Sequence, residues 1–417
     1  MKNRQLYIFN SSSRAANYGI GTYINNLVVA LRNSDLEFGI IYLSDQGDEV
    51  EITEKDGYKQ ISIPFSNSRH ANVQEYSHRN VVYLLKELIP YDKNMEYIFH
   101  LNFMGNEVLA KNLKKMFRCK IISVVHYTNW SFALNGDYSK LKKIYATNLK
   151  SLSPTDKSIV KNVRNDLKAL NKADCIICVS KHTLDTYRSL GGLKDKRVEI
   201  VNNALQDGYR ILTEKMKQNL REKYRISRQE KIILFAGRLD PIKGINNLLS
   251  GFKKILEKYP DTRLFIAGDG NFSDVMQGAT GYWSKVSFTG RIDRKRLYEL
   301  YHLADIGVVC SLYEEFGLVA IEMMMHQLPV IVTKTSGLDE IVEDNVSGLK
   351  VPVRTRRAGR MVDVKILSEK MVYLLDNHDI AMELGGNARK WFLEKYELSL
   401  FREKMLNLYS ELFQKVN

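Results

Sequence analysis

Short apolar runs alternate with longer polar and amphipathic stretches along the whole chain. The first half holds "LYIF" (6–9), "GIIYL" (39–43), "YIFHL" (97–101), "IISVV" (121–125), "CIICV" (175–179) and "VEIV" (198–201). The second half holds "KIILFAG" (231–237), "RLFIAG" (263–268), "VSFTG" (286–290), "IGVVCS" (306–311) and "PVIVT" (329–333). Most are almost continuously hydrophobic, as strands buried on both faces of a parallel sheet are. Helical patterns separate many of them. "TYINNLVVALRN" follows the first run. "INNLLSGFKKILEKY" follows "KIILFAG" and places apolar residues at 245, 248, 249, 252, 255 and 256, on one helix face.

Strand–helix alternation thus occurs twice, which predicts two doubly wound α/β domains. The boundary falls near 204–226, where the charged "LTEKMKQNLREKYRISRQEK" separates the two strand series. The chain ends in a long amphipathic pattern. Its 417 residues suit two cores better than one.

Composition narrows the setting. Hydrophobic residues make up 44% and charged residues 26%, an ordinary balance for a globular protein. No apolar run approaches the roughly 18 residues of a membrane-spanning helix, and the N-terminal apolar run is too short for a signal peptide. The expectation is a cytoplasmic protein. Four cysteines do not make a disulfide scaffold. Cys175 and Cys178 stand three apart in a buried strand, on opposite faces, and read as core residues rather than a metal or redox pair.

The net charge of +14 favours an anionic partner: nucleotide phosphates, a membrane surface or nucleic acid. Basic residues cluster at 140–172 and in "RTRRAGR" (354–360), which by themselves read as a solvated face and a solvated loop. No nucleic-acid-binding motif accompanies the charge.

Glycine-rich turns follow three strands. "NSSSRAANYGIGTY" (10–23) opens a helix, and Gly19 and Gly21 allow close backbone approach to an anion. It lacks the dinucleotide fingerprint, since position 24 is Ile; alone it reads equally as a tight turn. "AGRLDPIKGI" (236–245) sets Arg238 and Lys243 in a turn between strand and helix, an arrangement suited to phosphate. "AGDG" (267–270) adds Gly268 at the next strand end, on the edge where open α/β sheets bind ligands.

"SLYEEFGLVAIE" (311–322) has the same design. Glu314 lies in the turn after a strand, and Glu322 lies inside a helix that starts near Gly317. Their eight-residue spacing corresponds to roughly 12 Å along a helix, wider than the roughly 5–9.5 Å of a glycosidase carboxylate pair. The spacing suits two carboxylates gripping different ends of one ligand, with phosphate between them at the helix N-terminus.

In this order, "GRLDPIKG", "AGDG", "FTGRI...LYELYHLADIGVVCS" and the E-x7-E of "YEEFGLVAIE" resemble a family 4 retaining glycosyltransferase. The resemblance covers most of 231–350. The first half joins it through "GIGTY", His126 in "SVVHY", and "ADCIICVSKHT" with "VEIVNNAL". It implies a GT-B fold: two Rossmann-like domains facing an interdomain cleft, an acceptor-side domain of 1–204 with a returning helix at 395–417, and a nucleotide-sugar domain of 205–394. It implies that Arg238 and Lys243 bind the diphosphate, that Glu314 touches the donor sugar, and that Glu322 takes the ribose hydroxyls. Gly237 and Gly268 would border the donor, the backbone of Phe316, Gly317 and Leu318 would hold phosphate and sugar oxygens, and Arg291 and Ile292 would lie along the base. Gly19, beside Gly21, would approach the phosphate and His126 the sugar. His100 and His302 read as structural.

Two stretches depart from the family pattern: "VPVRTRRAGRMVDV" stands where a short "VPPGD"-like turn is common, and 127–172 combines Trp130, Phe132 and Tyr138 with basic residues. The latter is expected to face an acceptor, or an anionic membrane. No Asp-x-Asp triplet occurs, so no metal is expected. The resemblance implies, on family frequency alone, a UDP-hexose or UDP-N-acetylhexosamine donor without other cofactors. The acceptor would be a glycan, a lipid-linked intermediate or a protein. Two rival readings are a nucleotide-sugar epimerase of similar fold and a non-catalytic, acceptor-binding subunit.

Overall fold

The computed structural model describes residues 4–12, 18–32, 34–55, 57–66, 68, 70–92, 94–356 and 359–414. Residues 13–17 of the first glycine-rich loop, and Arg357 in the basic stretch 354–360, lie outside them. The chain forms two units. One comprises Met1–Trp130, Lys142–Ala204 and Leu398–Asn417, the other Ser131–Leu141 and Leu205–Glu397.

The first unit is built on strands β1 (Arg4–Ser11), β2 (Glu37–Ser44), β3 (Glu51–Lys55), β4 (Tyr58–Pro64), β5 (Glu96–Leu101), β6 (Cys119–Val125), β7 (Cys175–Cys178) and β8 (Arg197–Ile200). Their order is β3-β4-β2-β1-β5-β6-β7-β8, parallel except for β3 against β4. The apolar runs fill the central strands, where Leu6, Ile8 and Phe9 are fully buried. Strands β3 and β4 escape the hydrophobic pattern because they form a polar edge: every residue of "EITEK" is exposed. Cys175 and Cys178 are buried in β7.

The C-terminal helix Leu398–Gln414 completes this unit. Phe401 meets Tyr23 edge-on at 5.4 Å. His100, fully buried, bridges the Tyr409 hydroxyl at 2.8 Å and the Tyr23 hydroxyl at 3.3 Å. Burial pushes its pKa down to about 3, so it is a neutral core residue.

The second unit carries β9 (Lys231–Ala236), β10 (Thr262–Ala267), β11 (Val286–Gly290), β12 (Ile306–Val309), β13 (Val330–Lys334), β14 (Leu349–Arg356) and β15 (Gly359–Val362). The order is β11-β10-β9-β12-β13-β14-β15, parallel up to the antiparallel β14–β15 pair. Helix Ile245–Lys258 buries Ile245, Leu248, Leu249, Phe252 and Ile255, the face that the pattern predicts. In this order β9 stands between β10 and β12, so the chain's winding reverses at β9. Open α/β sheets bind ligands outside the strands' C-terminal ends at such a reversal, which singles out the loops leaving β9 and β12.

Three expectations need correction. Residues 131–141 group with the second unit, not the first. The cause is local: the Gly136 carbonyl accepts a hydrogen bond from Arg360, and the Phe132 ring lies beside Arg238. Residues 395–397 also belong there, because the Tyr396 carbonyl accepts from Leu205 N–H at 2.9 Å. Finally, the described residues of 354–360 are not loop: 354–356 lie on β14 and 359–360 on the antiparallel β15, exposed except for the half-buried Arg360, with Arg354 paired to Asp363 at 2.6 Å.

Candidate active site

Three turns of the second unit interlock at the C-terminal edge of its sheet. Leu312 N–H donates to the Ile242 carbonyl at 2.7 Å, and Leu239 N–H to the Asp269 carbonyl at 2.8 Å. Glycine is required where they cross. Gly244 has φ +68°, and a Cβ there would lie 2.0 Å from the Cys310 carbonyl oxygen. Gly268 has φ +154°, with a Cβ 1.8 Å from the Gly237 carbonyl oxygen. Their first role is therefore to let one turn press on the next, which fixes the side chains they carry.

Those side chains are the predicted ones. Lys243 Nζ lies 2.5 Å from Glu314 Oε1, and Ser311 Oγ donates to the same oxygen at 2.8 Å. Arg238 pairs with Asp240 at 2.9 Å, and its guanidinium carbon lies 5.6 Å from the centre of the Phe132 ring. All four charged groups are half-buried, so each cation has a carboxylate partner before any ligand arrives.

The backbone of the Glu314 turn is held from behind. Glu314 N–H donates to Ser336 Oγ at 2.9 Å, and Gly337 N–H donates to the Glu314 carbonyl at 3.0 Å. Ser336 itself sits at φ +41°. Gly317, at φ +123°, precedes helix Leu318–Met325, whose first N–H groups lack intrahelical partners. Phe316 turns inward and meets Tyr396 at 5.7 Å, and its backbone packs against Gly337.

Glu322, inside that helix, accepts a hydrogen bond from the buried Tyr301 hydroxyl at 2.9 Å. Burial raises its pKa, against the lowering effects of Tyr301 and Arg294. The Glu322 carbonyl accepts from His326 Nδ1 at 2.8 Å. His302 meets His326 edge-on at 5.1 Å and lies tilted 5.6 Å from Tyr209, a packing role. Past β11, Arg291 is exposed and Ile292 half-buried.

In the first unit, Gly19 and Gly21 lie at the start of helix Gly19–Leu31, and His126 follows β6. Asn102 Nδ2 donates to the Phe9 carbonyl at 3.0 Å, so its Oδ1 is turned to accept from His126 Nε2 at 2.9 Å. This fixes the tautomer and leaves His126 Nδ1 as an acceptor. Burial pushes the His126 pKa down to about 3; the imidazole is neutral at pH 7. Trp130 contradicts its expected acceptor-facing place: it is 1% exposed and belongs to the core, whereas Phe132 is 45% exposed. Tyr138 is half-buried.

Sequence reasoning missed Ser311, Tyr301, Ser336 and Arg360. The "TSG" at 335–337, directly after an apolar strand, was a usable signal for a further loop on the same edge.

Residues 18–207 match the family model described as Glycosyltransferase Family 4, and residues 216–391 the one described as Glycosyl transferases group 1. The chain belongs to the family 4 glycosyltransferases. The "uncharacterized glycosyltransferase MJ1607" of Methanocaldococcus jannaschii is 32% identical over 240 residues, 56% of this chain and 59% of that protein. This chain thus spans about three fifths of that relative's length. Its fold is the GT-B fold of solved family structures. Sucrose-phosphate synthase from Thermosynechococcus elongatus superposes with a TM-score of 0.75 at 20% identity, covering 99% of both chains. Anabaena Alr3699/HepE, solved in complex with UDP and glucose, superposes with a TM-score of 0.72 at 15% identity, covering 98% of this chain and 100% of the other.

Proposed function

We propose that the protein transfers a hexose or N-acetylhexosamine from its UDP donor to an acceptor hydroxyl, on a glycan, a lipid-linked intermediate or a protein, with retention at the anomeric carbon. The observation that carries this reading is the placing of Arg238, Lys243 and Glu314 on two of three interlocked turns at the sheet edge, with Lys243 paired to Glu314. UDP as carrier is supported by the HepE complex of the same fold.

Arg238 and Lys243 meet the diphosphate, and Glu314 the sugar. Backbone N–H groups at 316–318 take phosphate and sugar oxygens, while Gly19, with Gly21 beside it, approaches the phosphate. Gly237 and Gly268 border the donor, and Arg291 and Ile292 the base. His126 Nδ1 accepts from a sugar hydroxyl. Lys243 then exchanges its bond to Glu314 for the diphosphate. In the chemical step the bond from the anomeric carbon to the diphosphate oxygen breaks. The acceptor oxygen bonds to that carbon from the same face, and its proton passes to the departing phosphate oxygen. No carboxylate is assigned as a nucleophile.

Glu322 keeps one oxygen on Tyr301 and offers the other to the ribose. Glu322→Ala is therefore expected to weaken UDP binding by about 1.5–3 kcal/mol per ribose hydrogen bond lost. Isothermal titration with UDP checks this; unchanged affinity removes Glu322 from the ribose site.

We place the enzyme in the cytoplasm, with a basic face that can rest on an anionic membrane. Helix Pro154–Leu170 exposes Lys161, Arg164 and Lys168 at helical spacing, with Lys157 half-exposed on the same stripe. Among the described residues no helix is long and apolar enough to cross a membrane. The protein is expected to float with anionic vesicles at low salt and to be released at high salt. Absence from the vesicle fraction at low salt contradicts the membrane contact.

A further inference from the structure

The Arg360 side chain ties residues 131–137 to the candidate site. Gly136 has φ +71°, and a Cβ there would lie 2.4 Å from Tyr313 Cβ and 2.8 Å from Arg360 Nη1. Tyr313 immediately precedes Glu314. Arg360, on β15, donates from Nη1 to the Gly136 carbonyl and from Nη2 to Thr335 Oγ1 at 2.9 Å. Thr335 Oγ1 in turn donates to the Leu312 carbonyl at 3.1 Å. The next residue, Ser336, receives the Glu314 N–H. One guanidinium therefore joins the 131–137 segment, the Thr335–Gly337 turn and the Glu314 turn. Phe132, at the other end of the segment, packs beside Arg238.

We propose that Arg360 is a positioning residue for sugar transfer: its fork locks residues 131–137 onto the Glu314 turn and so holds Phe132 against Arg238. The proposal rests on the functional reading above, in which Arg238 meets the diphosphate and Glu314 the sugar. An aromatic face near a guanidinium attracts it and limits its rotamers. Arg238 is then held ready for the diphosphate rather than searching for it. The two acceptors lie on segments far apart in sequence, which suits a planar fork with separate N–H groups and not a single ammonium. The hairpin that supplies Arg360 stands where the chain departs from the family pattern.

The test is a cycle of Arg360→Ala, Phe132→Ala and the double variant, with Arg360→Lys and Arg238→Ala as references. Each is assayed with the nucleotide sugar turned over fastest in a panel of UDP-, GDP- and ADP-sugars, and by melting temperature. Arg360→Ala is expected to lower kcat by about 10²-fold, the scale of a small misplacement of reacting groups. Arg360→Lys recovers only part of this. Because both residues act through one segment, the double variant loses no more than the worse single variant. A residue that merely staples the hairpin would lower the melting temperature, leave kcat intact, and give additive losses with Phe132→Ala. Either wild-type kcat in Arg360→Ala or additive losses overturns the proposal. If Arg360→Ala does not fold, Arg360→Lys and Phe132→Ala carry the same cycle. An inactive Arg238→Ala beside a fully active Arg360→Ala rejects the positioning role alone; a fully active Arg238→Ala rejects the functional reading and the proposal with it.

Discussion

Arg238→Ala and Lys243→Ala are each expected to lower sugar transfer by about 10²–10³-fold, the scale of removing one preorganised donor from a developing anion. The loss is expected equally in excess EDTA and in its absence. The charge to be stabilised grows on the departing diphosphate. Arg238 and Lys243 leave the same turn, which the Gly244–Cys310 and Gly268–Gly237 contacts hold rigid. Both are half-buried, where their fields are less screened than at the surface. The helix that starts after Gly317 adds its N-terminal dipole. On the proposed reading, two fixed cations and a helix end suffice for the leaving group, without a metal. Activity abolished by chelation and restored by Mg²⁺ or Mn²⁺ would contradict it, and the roles of both residues with it.

Glu314→Gln is expected to lower turnover by at least about 10²-fold, matching the loss of a charge aimed at the developing positive sugar. The fold survives, because the contacts that shape the turn come from the backbone of residue 314. These are its N–H to Ser336 Oγ and its carbonyl from Gly337 N–H. Glutamine also keeps an oxygen for the Ser311 hydroxyl. The variant makes a second, sharper distinction. Glu314 occupies Lys243 at 2.5 Å, so on the proposed reading it competes with the diphosphate for that ammonium. Glu314→Gln weakens this competition, and UDP affinity is expected to hold or to tighten while turnover falls. Parallel loss of affinity and turnover would make Glu314 a simple binding residue; wild-type turnover would remove it from the mechanism.

The site was legible where its chemistry lies close in sequence. Arg238, Lys243 and Glu314 stand in turns after apolar strands and Glu322 in the helix that follows one, and turns there must gather at one sheet edge in a parallel α/β unit. The central strands were legible because burial on both faces makes them continuously apolar. Strands β3, β4, β14 and β15 were not, since an edge or hairpin strand needs polar residues and carries no such run. Trp130 and Phe132 show a different limit. They lie two apart in the short helix Asn129–Ala133, and only packing decides that the first is core and the second exposed. Arg360 lies 224 residues from Gly136. No local pattern announces that contact, and a basic run reads as solvated until the tertiary fold supplies acceptors. Nor does periodicity show that Tyr301, on a neighbouring helix, holds Glu322.

The most direct test of the account is incubation of the protein with a panel of nucleotide sugars in the absence of any acceptor, followed in real time by proton and phosphorus NMR. The account predicts slow release of UDP from one or a few donors, in EDTA, with the first-formed free sugar in the same anomeric configuration as the donor. Return of an intact, epimerised nucleotide sugar would assign the chain to a different reaction on this fold. Release of the inverted anomer would contradict retention, and no diphosphate release from any donor would contradict the transferase reading itself.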